Sequence, residues 1–352
     1  MSTPRRHVLI TGGAGFVGTN LAARLVEDGK RVVILDDLSR AGAHENLRWL
    51  EDRYGSRFEA CIADAGDAAA LRAALSDAEA VAHLAAQVAV TSSLESPLLD
   101  FDRNLRATVT LLEELRRLRR NVPLLYTSTN KVYGALPDVA LRRKGRRWQP
   151  VDPQLRHHGI NERRPLAFCT PYGCSKGGAD QYVLDYAKTF GLPAVVFRMS
   201  CIYGEHQHGN EDQGWVAHFV IRALARERVT VYGDGCQVRD VLFATDLVDA
   251  MRRVLSDAHR LAGAAFNVGG GPRNTLSLLE LLELLDELGC APGEIDYAEE
   301  RTGDQRWYVS DTTALQRETG WRPNVDVETG VDALVSWLGR SRELPLLTAR
   351  AS

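Results

Sequence analysis

Thr11-Gly12-Gly13-Ala14-Gly15-Phe16-Val17-Gly18 decides the fold. It follows the apolar run His7–Ile10 and opens the amphipathic stretch Thr19–Glu27, so it reads as strand, tight glycine turn and helix. Glycines there let the chain turn sharply. They also let its backbone approach a pyrophosphate at the helix N-terminus, where unpaired N–H groups concentrate positive potential. The next apolar run, Arg31–Leu35, leads to Asp36, 18 residues after Gly18. A carboxylate there can accept from both ribose hydroxyls of an adenosine, which favours NAD over NADP. Arg40 leaves a 2′-phosphate open as the alternative.

Outward from this turn, the apolar runs Ala80–His83, Leu124–Thr127 and Ala194–Arg198 alternate with helical stretches at Asp67–Leu75, Phe101–Arg119 and Pro171–Phe190. Val, Ile and Leu without strict alternation suit parallel strands buried on both faces. The alternation predicts an α/β fold, a Rossmann-type doubly wound parallel sheet. Thr170 suits a cap for the last helix, Pro171 its first turn and Gly191 its end. Residues 134–167 carry several Pro and the basic run Leu141-Arg-Arg-Lys-Gly-Arg-Arg147, and read as a long solvated loop. After residue 200 the pattern changes to a smaller α/β lobe, with strands at Val229–Tyr232 and Val238–Phe243. The predicted division is a dinucleotide-binding domain from 1–199 and 238–263, a discontinuous substrate lobe from 200–237 and 264–342, and a tail from 343–352.

Composition narrows the function. Apolar residues make up 45% of 352 and charged residues 25%, ample for a core. The formal net charge of −3 offers no basic field to nucleic acid. No apolar run reaches the ~18 residues of a membrane span, and no apolar leader follows the N-terminus. Six scattered cysteines, without CxxC or metal-ligand spacing, suggest free thiols and no metal. The expectation is a cytoplasmic protein with neither nucleic-acid nor membrane partners. Only 5 of the 43 basic residues are Lys, so each Lys draws interest.

One of them ends Tyr172-Gly-Cys-Ser-Lys176, where i and i+4 share a helix face. A free Tyr titrates near 10 and is a poor base at neutral pH. A cation one turn away, with a positive nicotinamide ring, favours phenolate and makes Tyr172 a general base for a hydroxyl.

The glycine fingerprint, Ser128-Thr129…Tyr133-Gly134 and Tyr172…Lys176 resemble the extended short-chain dehydrogenase/reductase superfamily, in particular its nucleotide-sugar epimerases and dehydratases, over residues 6–340. The resemblance implies bound NAD, a Thr129–Tyr172–Lys176 triad and a nucleoside-diphosphate sugar between two lobes. It places Gly12, Gly15, Phe16, Val17, Gly18, Asp36, Asp37, Ser39, Arg40, Asp64, Ala65, Leu84, Ala85, Ala86, Asn104 and Thr127 with Tyr172 and Lys176 on the cofactor side. Gln87, Asn130, Ser200, Cys201, Arg239 and Arg306 fall with Thr129 on the substrate side, the two Arg as diphosphate partners. Gln213, Trp215 and Tyr232 either touch the substrate or shape its pocket.

Asn130 and Lys131 stand where the 4,6-dehydratases carry Asp-Glu, so the acid and carboxylate base of water elimination are missing. This argues for oxidation followed by re-reduction. Ser128-Thr129-Asn130-Lys131-Val132-Tyr133-Gly134 and Glu211-Asp-Gln-Gly-Trp-Val216 are similar to the CDP-paratose 2-epimerase (CDP-tyvelose epimerase) branch, with Met199 and Cys201 as departures. That branch implies a CDP-linked sugar epimerised at C2. C4 epimerisation, or dehydration or dehydrogenation on the same scaffold, is the alternative, and a non-catalytic binding protein is disfavoured by the intact triad. The resemblance also implies a homodimer or homotetramer through the helices at Phe101–Arg119 and Pro171–Phe190.

Overall fold

The computed structural model describes residues 6–301 and 303–341; the tail proposed for 343–352 lies outside them. Seven parallel strands form one sheet, in the order Ala265–Val268, Ala194–Met199, Leu124–Thr129, Ala78–His83, His7–Thr11, Val32–Asp36, Phe58–Ile62. Alternate residues bury on opposite faces. Ile10, Ile34, Leu125 and Phe197 pack under the helices Phe16–Glu27 and Ala244–Ser256. Leu9, Leu35, Leu124 and Val196 pack under Ala107–Arg117 and Thr170–Phe190. This two-faced burial is why the strands read as unbroken apolar runs. No described helix is long and apolar enough to cross a membrane.

A smaller sheet centres on Val238–Phe243, which pairs antiparallel with Thr275–Ser277 and parallel with Trp307–Tyr308 and Cys201–Tyr203. Its core gathers Val220, Val241, Leu281 and Leu334. Two strands therefore sit differently from the sequence division. Ala265–Val268, given to the substrate lobe, completes the large sheet beside Ala194–Met199. Val238–Phe243, given to the dinucleotide domain, is the centre of the small one. Both are short buried strands, and sequence alone does not reveal which partner such a strand takes.

The stretch 134–167 is not a loop. Leu141–Lys144 and Arg147–Pro150 form an antiparallel hairpin, followed by the helix Pro153–His158. Its turn uses Gly145 at φ +60°. Arg147 forks onto Glu280 with two contacts of 2.6 Å and donates to Thr275 Oγ1 at 3.0 Å. Glu280 also belongs to the capping box with Ser277 that starts the helix Leu278–Glu287. The basic run thus splits: Arg147 clasps the small lobe, whereas Arg142, Arg143 and Lys144 face solvent.

Candidate active site

The C-terminal ends of the large sheet's strands open on a cleft of about 850 Å³. Its floor begins at the glycine turn. Gly12 holds φ +71°, and a Cβ there would sit 2.6 Å from the Ala85 nitrogen. A Cβ on Gly18 would sit 2.3 Å from the Gly12 carbonyl oxygen. Turn, helix start and the loop after Ala78–His83 are therefore closer than any side chain allows, and no side chain caps the helix Phe16–Glu27. Its first N–H groups are left for an anion. Asp36 accepts from Ala14 N–H at 3.0 Å and Leu38 N–H at 2.9 Å; burial raises its pKa against those bonds.

Gly12, Gly15, Phe16, Val17, Gly18, Asp36, Asp37, Ser39 and Arg40 all line this cleft, as do Asp64, Ala65, Leu84, Ala85, Ala86 and Thr127. The glycine cradle, the uncapped helix start and the carboxylate at the next strand's end fit a dinucleotide. Asn104 stands behind the cleft. It is buried in a π-type turn, Asp102–Arg106, and its Oδ1 accepts from Gln87 N–H at 2.9 Å. It supports the wall that Gln87 lines.

Thr129 ends a buried strand, and Tyr172 and Lys176 occupy successive turns of the facing helix. That helix starts under strain: Thr170 has φ +67°, costly for a β-branched residue. Its Oγ1 still accepts from Gly173 N–H, at 3.4 Å, with Pro171 in the first turn and Gly191 left-handed at the end. Tyr172 and Thr129 both line the cleft, Thr129 Oγ1 donating to Asn130 Oδ1 at 3.4 Å, and burial pushes the Tyr172 pKa up to about 12. Lys176 Nζ donates to the Thr127 carbonyl at 2.5 Å and lies 4.5 Å from the Tyr126 ring centre. Burial pushes Lys176 down to about 7. The cation that acts on Tyr172 within the polypeptide is Arg40. The expected lowering by Lys176 is not present in the chain alone: burial raises Tyr172 and lowers Lys176, and neither acts on the other.

On the other side, Gln87, Asn130, Ser200, Cys201, Gln213, Trp215, Tyr232 and Arg239 line the same cleft. Trp215 Nε1 donates to Cys201 Sγ at 3.4 Å. Arg239 and Lys131 converge on Asp304, at 2.5 and 3.6 Å, and Lys131 also donates to the Gly303 carbonyl at 3.1 Å. Arg239 and Lys131 hold Asp304's carboxyl below the usual range despite burial.

Arg306 is a correction. It pairs with Glu300 at 3.2 Å and lies over Trp148, beside a separate hollow of about 100 Å³. Gln305 and Trp307 are buried on either side of it, so alternation along the extended chain turns Arg306 outward. Arg301 is the guanidinium that lines the cleft instead, 3.8 Å from the Tyr232 ring centre and bonded to the Glu211 carbonyl at 2.9 Å. The signal for it was its place five residues before Arg306 in the same acidic, glycine-containing segment. Among the described residues no group of three or more His, Cys, Asp or Glu could hold a metal ion.

Residues 8–269 match the description "NAD dependent epimerase/dehydratase family". The chain belongs to that family. NAD is accordingly its cofactor, and the chain is an enzyme of this class. It is 39% identical over 336 residues to the CDP-paratose 2-epimerase of Salmonella typhi, covering 94% of this chain and 98% of that one. It is 33% identical over 341 residues to the dTDP-glucose 4,6-dehydratase of Streptomyces griseus, covering 96% and 95%. The solved UDP-glucose 4-epimerase of Thermus thermophilus, a complex with NAD, superposes with a TM-score of 0.79. It is 31% identical and covers 94% of this chain and 98% of that chain. The epimerase/dehydratase family thus accounts for both the fold and the cofactor cradle.

Proposed function

We propose that this enzyme is a nucleotide-sugar epimerase acting on a CDP-linked sugar at C2, as its Salmonella relative's name describes for CDP-paratose. The carrying observation is the composition of the cleft: a Thr129–Tyr172–Lys176 set with Asn130 and Lys131 beside it, and no acid–base carboxylate pair at those two positions. Bound NAD supplies a reversible hydride acceptor. Tyr172 takes the proton from the sugar hydroxyl and later returns one, and Thr129, on the same wall of the cleft, orients that hydroxyl. Lys176, one turn along the helix and fixed on the Thr127 carbonyl, is the partner cation in this reading, with Arg40 the cation already acting on Tyr172. Arg239 and Arg301 offer planar forks to the diphosphate. Trp215, Gln213 and Tyr232 wall the space in which the oxidised sugar presents its other face.

Exposed Leu98 (80%), Phe101 and Tyr182, on or beside the two helices of the expected bundle, support a homodimer, or a tetramer of two dimers. Six unpaired cysteines support a reducing, cytoplasmic setting.

The test is NMR of the purified enzyme incubated separately with CDP-, UDP-, GDP- and dTDP-sugars. Epimerisation at C2 of a CDP-sugar supports the reading. Inversion at C4 of a UDP-sugar, or loss of water, replaces it with one of the alternatives.

A further inference from the structure

Asp100 is a carboxylate beside Tyr172 and Lys176 for which the reaction above has no task, and it is 1% exposed. Its hydrogen bonds come from neutral groups: Ser175 Oγ donates to it at 2.5 Å and Asn104 Nδ2 at 3.0 Å. Asn104 also donates to Ser175 Oγ at 3.1 Å, and its own oxygen is taken by Gln87 N–H. The three side chains close a buried ring in which the amide is fully used. Ser175 lies between Tyr172 and Lys176 in the same helix, its Oγ 3.2 Å from the Tyr172 carbonyl. The ring thus ties the turn carrying both groups to the π-type turn at Asp102–Arg106, an irregularity common at functional sites.

Two carboxylates act on Lys176, Asp180 and Asp100. Asp180 is gripped by the Arg198 fork at 2.9 and 3.0 Å, which offsets its charge. Among the described residues no guanidinium pairs with Asp100. An ionised carboxylate among neutral donors is costly to bury unless a cation lies near.

We propose that Asp100 is a positioning residue for the Tyr172–Lys176 pair: seated by Ser175 and Asn104 against the turn that carries them, it holds Lys176 as an ammonium by its charge. This rests on reading Tyr172 and Lys176 as the base and its partner. The other groups around them are accounted for. Lys176 also faces Tyr126 and His83, a histidine kept neutral by burial. Tyr172 also faces Thr129 and Arg40, and Tyr126 feels Asp100, Asp180 and Tyr172. Glu95 and Arg103 line the same cleft, Arg103 paired with Asp37 at 3.8 Å. A negative charge at Asp100 favours the ammonium and opposes the phenolate, so its removal moves both titrations to lower pH.

The scarcity of lysine makes this measurable. In NAD-saturated protein labelled with ε-13C lysine, five resonances are expected, and Lys176→Met identifies the one of interest. The midpoint of Lys176 is compared in wild type, Asp100→Asn and Ser175→Ala. The expected result is a fall of roughly one pH unit in Asp100→Asn and the wild-type midpoint in Ser175→Ala, which loses a hydrogen bond but keeps the charge. An unchanged midpoint in Asp100→Asn, or an equal fall in Ser175→Ala, overturns the proposal. Should Asp100→Asn not fold, Asp100→Ser gives the same comparison without inserting a second amide. The readout needs no sugar substrate, so its failure is distinct from failure of the epimerase reading.

Discussion

The two walls of the cleft are built differently. On the large-sheet wall, Tyr172 and Lys176 are 8% and 3% exposed, and Lys176 is fixed by a main-chain carbonyl. On the small-lobe wall, Arg301 is tied to Glu211 and Asp212 by pairs of 3.5 Å, and those carboxylates keep about half their side-chain surface in water. Buried groups on strand ends and one rigid helix hold geometry and shifted pKa values, as bond-making needs. Half-exposed ion pairs on loops can exchange one anionic partner for another, as capture of a phosphate needs. The difference assigns chemistry to one wall and binding to the other.

Breaking the first wall gives the largest effect. Tyr172→Phe removes the proton acceptor and is expected to lower turnover by about 10³-fold. NAD and nucleotide affinities, read by calorimetry, stay near wild type. A variant that keeps its turnover removes Tyr172 from the chemistry. Gly18→Ala tests the cradle on the same wall. Its Cβ cannot fit 2.3 Å from the Gly12 oxygen, so NAD affinity should fall by about 10²-fold. Unchanged NAD binding would show that this turn does not hold the cofactor.

What was legible in the sequence follows the same contrast. The glycine turn, Asp36 and the Tyr172–Lys176 spacing were readable because each is a local motif whose geometry is set within a few residues. Long buried strands were readable because both faces are covered. The edge strand Phe58–Ile62 was not, since only Phe58 in it is fully buried and Ile62 is 54% exposed. The small lobe draws Cys201–Tyr203, Val238–Phe243, Thr275–Ser277 and Trp307–Tyr308 from distant parts of the chain. Their pairing depends on tertiary register, so the inward turn of Arg301 in place of Arg306 escaped a linear reading. The hairpin at Leu141–Pro150 is local, but its strands are polar and largely unburied, so no apolar pattern marks it.

The second wall is tested by that pair of arginines. Arg301→Ala is expected to raise KM for the sugar nucleotide about tenfold with kcat nearly kept, whereas Arg306→Ala leaves KM near wild type. The reverse order would restore Arg306 to the diphosphate. The smallest effect lies outside both walls. Arg147→Ala removes the clasp on Glu280 and should cost about 1 kcal/mol in urea unfolding, because the pair is partly solvated. Kinetic constants should hold, and a collapse of turnover would mean that the hairpin shapes the cleft.

The central claim, that the carbon oxidised is the carbon re-reduced, is tested most directly with CDP-paratose carrying deuterium at C2. Incubated with the NAD-bound enzyme and followed by NMR and absorbance at 340 nm, it should give the C2 epimer with deuterium still at C2 and no accumulated NADH. Stoichiometric NADH, loss of water, or inversion at another carbon with C2 untouched would contradict the account.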